Sequence, residues 1–204
     1  IVRAYRLKAE SEFKRANDIH KFFARIMKLK PDEISKLSGD TAKIEEKMRS
    51  ASVKSGGIGY KQPTEETFPR VDDFISWIRN CNAIPMVTWL DGTSAVEEHI
   101  TELLELMEEK GACALNIIPE RNHNIADNTD RTLKLKKLDE VIHAANERNM
   151  PINIGTEMNR RGQPFVDDTK CEALRPYHNI FLKGTRIMVG HTLLSRFANF
   201  SYIG

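Results

Sequence analysis

Between positions 151 and 163 the chain reads Pro151-Ile152-Asn153-Ile154-Gly155-Thr156-Glu157-Met158-Asn159-Arg160-Arg161-Gly162-Gln163. An apolar strand stops at a glycine, and a carboxylate and an amide follow two residues apart. In extended backbone, residues i and i+2 point to the same side. Glu157 and Asn159 are therefore placed to grip one metal ion or one substrate group together. The competing use of these two side chains is local: capping the next helix or bonding loop amides.

Three further polar loops follow apolar segments. The first holds Thr88, Trp89 and Asp91, the second Asn116, Glu120, Arg121, Asn122, His123 and Asn124, and the last His191 and Thr192. Carboxylate, amide and imidazole donors at neighbouring strand ends suit a divalent ion, with Mn, Zn and Mg all compatible. Such an ion lowers the pKa of bound water and polarises a phosphoryl or carbonyl oxygen. On this reading Glu157, Asn159, Asn116 and Asp91 are the metal-ligand candidates. His191 is the candidate acid, base or ligand, and Arg121 and Arg160 are the forks for a phosphate or carboxylate. Bland roles compete at each place. Asp91 before Gly92 is a turn former first. His191 is equally readable as a satisfied buried histidine, His123 as solvent-exposed, Trp89 as a core wall, and Asp167-Asp168 as a helix cap. Neither a Gly-x-Ser-x-Gly nucleophile turn nor a phosphate-cradling glycine loop after a strand occurs.

The elements that must position these groups are legible as periodicity. Phe13, Ala16, Ile19, Phe22, Phe23, Ile26 and Leu29 recur at helical spacing, and Pro31 stops the pattern. A weaker helix carries Ile44, Met48 and Ala51. From Phe68 the texture becomes alternating. Strands are predicted over 83–90, 113–118, 151–156 and 186–190. The helices between them are marked by Ile100, Leu103, Leu104 and Met107, then by Leu135, Leu138, Val141, Ile142 and Ala145, and lastly by a stretch near 170–182. Ser94-Ala95-Val96-Glu97 has capping-box spacing, and Gly111 supplies a helix stop. Strand-helix alternation implies parallel strands with right-handed crossovers. The expected fold is α/β, a partial or distorted (β/α) TIM-like barrel over 68–204 behind a helical segment over 1–67. About four units are half of a barrel that usually takes ~250 residues.

Composition narrows the partners. With 31 basic and 29 acidic side chains the formal charge is +2, which gives no electrostatic reason to expect nucleic acid. No apolar run approaches the ~20 residues that span a bilayer. The three cysteines, Cys81, Cys113 and Cys171, form no Cys-x-x-Cys pair and suggest a reducing, cytoplasmic setting. A start at Ile-Val-Arg rather than Met reads as a fragment. The expected partner is a small anionic or polar substrate, and the oligomeric state is open.

Met86-Val87-Thr88-Trp89-Leu90 after one helix, Ala114-Leu115-Asn116-Ile117 after a second, and Ile154-Gly155-Thr156-Glu157-Met158-Asn159 after a third resemble the second half of the polymerase and histidinol phosphatase family. That resemblance, over roughly residues 68–165, implies a metal-dependent phosphoesterase with a distorted β/α barrel. The family's Asp-x-His ligand pair corresponds to Glu157-x-Asn159, and its Ala-His-Pro histidine to Thr88 or Trp89. The helical segment resembles the family's insertion between barrel halves. With imidazoles replaced by oxygen donors, a hard ion or none is expected. The expected function is thus a divergent metal-dependent hydrolase. The alternatives are a metal-independent barrel enzyme acting on a sugar or polyol, and an inactive ligand-binding domain.

Overall fold

Helix α2 (Ala16–Met27) shows how the first seventy residues fold. Its apolar positions fall on one side, burying Ala24, Ile26 and Met27. Lys28 then turns left-handed at φ 56°, its N–H returning to the carbonyl of Ala24. Pro31 does more than stop this helix. It opens α3 (Pro31–Leu37) as the first helical residue, where its fixed φ suits and no N–H is missed. Glu33 Oε2 accepts from the Lys30 N–H at 2.7 Å and caps the same turn. With α1 (Val2–Glu12) and α4 (Thr41–Val53) these helices form a first unit, residues 1–68. Its small core joins Ala24, Ile26, Met27, Ile34 and Met48. The computed structural model describes residues 2–37, 41–158 and 163–203.

The second unit, residues 69–204, carries the sheet. Its order is α5 (Val71–Asn80), β1 (Met86–Trp89), α6 (Ile100–Glu109), β2 (Ala114–Ile117), α7 (Glu120–His123), α8 (Asn128–Glu147) and β3 (Ile152–Ile154). A 3-10 turn (Arg175–Tyr177) and α9 (His178–Ala198) follow. The strands are parallel in the order β1-β2-β3. Thr88 lies beside Asn116 and Asn116 beside Asn153; one step on, Trp89, Ile117 and Ile154 align. This second row belongs to the main core, with Val87, Leu115 and Ile152, Leu104 of α6, and Leu138, Val141, Ile142 and Ala145 of α8. The period of two in a strand sends the Thr88–Asn116–Asn153 row to the opposite face.

Two helix ends explain the short connections. Asp127 caps α8 by accepting the Asp130 N–H at 2.9 Å, and Gly111, at φ 96°, ends α6 where a left-handed residue is required.

The barrel expectation is overturned. Helix makes up 56% of the protein, and three strands in an open sheet cannot close a structure that needs about eight. The segment read as a fourth strand, 186–190, lies inside α9. A short apolar run between two glycines has the local pattern of a buried strand or of a helix, and tertiary packing chose the helix.

Candidate functional site

The carboxyl ends of the three strands gather polar groups into one region. After β1 the chain turns at Gly92, φ 73°. That turn is held from outside the strand by Glu97, whose carboxylate accepts the N–H of Leu90 at 2.7 Å and of Gly92 at 3.1 Å. Asp91 takes the Thr93 N–H and hydroxyl on one oxygen and pairs with Lys134 Nζ at 3.1 Å on the other. Burial pushes the Asp91 carboxyl up, but the bonds from Thr93 and Lys134 together hold it below its usual range.

After β2 comes α7, a single turn. Asn122 within it is fully buried, and its Nδ2 donates to the carbonyls of Leu90 and Ile118 at 3.1 and 3.3 Å, joining the ends of β1 and β2. After β3, Glu157 accepts two contacts from Arg121 Nη1, at 2.8 and 3.1 Å. Farther along, buried Asp167 reaches back, its Oδ2 accepting the Glu120 N–H at 3.2 Å. Burial lifts the Asp167 carboxyl above its usual range. The bond from the Glu120 N–H and the nearby His123 oppose the lift, and the Glu120 carboxylate adds to it.

What marks this region is unfinished hydrogen bonding. Trp89 Nε1, Glu120 Oε2, Asn122 Oδ1, His123 Nε2 and Asp167 Oδ1 are buried and lack a partner among the described residues. Buried polar atoms are nearly always paired, so each exception asks for a reason. All five belong to residues at or beyond the carboxyl ends of the strands.

The structure divides the residues singled out from the sequence. It brings Arg121 and Glu157 together. Asp91 is engaged by Lys134 instead of facing them. Asn116 sits within β2 on the face away from the core, its Oδ1 accepting from Asn153 Nδ2 at 2.7 Å. His191 is not at a strand end. It lies in α9, where its Nε2 is 2.9 Å from the carbonyl of Asn82, on the segment entering β1. That is the opposite end of the sheet from Glu157. Asn159 and Arg160 lie outside the described residues. Among the described residues no three His, Cys, Asp or Glu side chains form a metal-holding group. The two described carboxylates named as ligands, Asp91 and Glu157, each face a cation of the protein. Both are thus charge-paired within the protein.

From the sequence Asp167 reads as a helix cap, and Asn122 as one of the polar groups of the loop after Asn116, without a role of its own. Neither carried a local signal, because both act on residues distant in the chain.

No family model, no curated protein and no solved structure matches this chain. No described helix is long and apolar enough to cross a membrane.

Proposed function

We propose that the second unit takes a small, hydroxyl-rich molecule at the carboxyl ends of β1–β3 and performs acid–base chemistry on it without a resident metal. The carrying observation is the set of five buried polar atoms without partners. Glu120 Oε2 and Asn122 Oδ1 are acceptors, and Asp167 Oδ1 is a donor when its carboxyl holds the proton. Trp89 Nε1 is a donor, and His123 Nε2 serves as either. Hydroxyl groups both donate and accept, so a polyol or sugar satisfies such a mixed set.

The roles follow from the surroundings. Asp167 is a carboxyl whose burial favours the protonated form, beside the carboxylate of Glu120; it is the candidate acid. His123 is the candidate base. Arg121 orients Glu157 and offers its remaining N–H groups to an anionic or polar substituent. Hydrolysis of a glycosidic or phosphate ester bond is the reaction class that an acid, a base and an anion contact serve.

The test combines binding and turnover. A panel of polyols and simple sugars is scored by melting shift, and nitrophenyl glycosides and phosphates by release of nitrophenol. The expected result is stabilisation by at least one polyol, lost in Asp167→Asn and Asn122→Ala while both variants remain folded. No shift with any polyol overturns the reading. Stoichiometric metal in the purified protein, with turnover abolished by a chelator, replaces it with the metal-dependent hydrolase.

A further inference from the structure

At the other end of the sheet, α9 leaves a cleft. The helix is pinned at Gly184, where an added Cβ would stand 1.9 Å from the carbonyl oxygen of Ile152. Two turns later it is tied by His191, whose Nε2 donates to the Asn82 carbonyl and whose Nδ1 accepts the Tyr202 N–H at 3.3 Å. Between the helix and the strands lies a cavity of about 590 Å³. That volume falls in the range of small-molecule sites, ~300–1,000 Å³.

Its walls have a definite chemistry. Ile84, Met86 and Met188 give an apolar floor. Asn153 of β3, and Thr192, Ser195 and Arg196 within about one turn of α9, give polar groups. Asn153 spends one N–H on Asn116, which leaves its carbonyl and second N–H for another partner. A strand of a parallel sheet normally shows apolar residues on both faces; an amide pair there departs from that rule, as functional sites do. Arg196 is the sole Asp, Glu, Lys or Arg among the described residues lining the cleft. It stacks over Phe197 at 5.5 Å, with no carboxylate partner among the described residues. His191 Nε2 donates to the Asn82 carbonyl and its Nδ1 accepts the Tyr202 N–H. The lining is therefore net positive, with a flat apolar floor beside it.

We propose that this cleft is a second ligand site, for a small molecule with an apolar body and one anionic group. The body lies on Met86, Met188 and Ile84. The anion meets the Arg196 guanidinium; the Thr192 and Ser195 hydroxyls already donate to the Met188 and Phe200 carbonyls, so the guanidinium is the charged donor of the cleft. This site stands apart from the one at the carboxyl ends of the strands, and neither depends on the other.

The experiment is a titration of the full chain followed by amide NMR, with three probes: phenyl phosphate, inorganic phosphate and benzyl alcohol. The expected result is saturable shifts at Ala83, Asn153, Thr192 and Ser195 with phenyl phosphate, at least tenfold tighter than with either fragment. Arg196→Ala, on the exposed side of a helix, should bring phenyl phosphate down to the level of benzyl alcohol. Met188→Trp, which fills the floor, should abolish binding of both aromatic probes. Equal affinity for phenyl phosphate and benzyl alcohol overturns the anionic part. Equal affinity for phenyl phosphate and inorganic phosphate overturns the apolar part. Shifts confined to the region of Asp167 and Glu157 overturn the site as a whole.

Discussion

Arg121 Nη1 meets both carboxylate oxygens of Glu157, at 2.8 and 3.1 Å, and so ties the segment after β2 to the segment after β3. The pair is partly open to solvent, with the side chains 36% and 21% exposed. A partly screened pair contributes little stability, because water competes and two side chains lose freedom. Glu157→Gln should therefore lower unfolding stability by under about 1 kcal/mol in urea titration. The loss should shrink further in ~1 M salt, where the screening length is ~3 Å. A salt-independent loss of several kcal/mol would mean that Glu157 is held by something other than this ion pair.

Asp167 gives the protein a pH dependence of definite sign. Its carboxyl is lifted by burial above the ordinary value of 3.8, so the folded state keeps the proton to higher pH than the unfolded chain. The stability this group contributes is complete below the ordinary value and is lost as pH rises through the folded one. Asp167→Asn keeps an oxygen to accept the Glu120 N–H and cannot ionise. Its stability relative to the parent should improve as pH rises from about 4 through the folded-state value and then level off, followed by urea unfolding at each pH. A difference that stays flat across that range refutes the shifted carboxyl.

Much of the scaffold was legible in the sequence, and the reasons are local. The runs around Val87, Leu115 and Ile152 are apolar, short and bounded by turn residues, and each contains an observed strand. Leu138, Val141, Ile142 and Ala145 repeat at helical spacing and are all fully buried in α8. The exception is Arg186-Ile187-Met188-Val189-Gly190, whose short apolar run stopping at a glycine reads as a strand but lies inside α9. The site was less legible. Arg121 and Glu157 stood out because each follows a strand. Asp167 and Asn122 did not, since one binds an N–H 47 positions away and the other a carbonyl 32 positions away. No periodicity or spacing encodes such contacts.

Lys134 and Asp91 form the more enclosed ion pair, with side chains 22% and 15% exposed. The Asp91 carboxyl is shifted below its ordinary 3.8. Stability from a depressed carboxyl is present above the ordinary value and is lost as pH falls through the folded one. Lys134→Met leaves Asp91 enclosed beside Thr93 without its cation. The variant should lose about 1–3 kcal/mol at neutral pH. The gap to the parent should close as acid protonates Asp91, measured by thermal unfolding across the acid range. A gap that persists unchanged in acid would assign the loss to packing of the lysine stem.

The two glycines of α9 should respond in opposite directions to the same change. Alanine in a helix interior is favoured over glycine by about 1 kcal/mol, through lost backbone freedom in the unfolded chain. At Gly190 an added Cβ meets nothing within 4 Å, so Gly190→Ala should keep that gain and raise Tm by roughly 2–4 °C for a chain of this size. At Gly184 the new Cβ would lie 1.9 Å from Ile152 O and 2.8 Å from Ile152 C. Backbone cannot yield as a flexible side chain would, so α9 must lift from β3, which separates Phe181 and Leu174 from Ile152 in the core. Overpacking of this kind costs about 1–3 kcal/mol or more, which exceeds the helical gain. Gly184→Ala should therefore lower Tm while Gly190→Ala raises it. Equal shifts in the two variants would show that α9 does not press on β3 at this point, and the cleft beyond it would then lose its hinge.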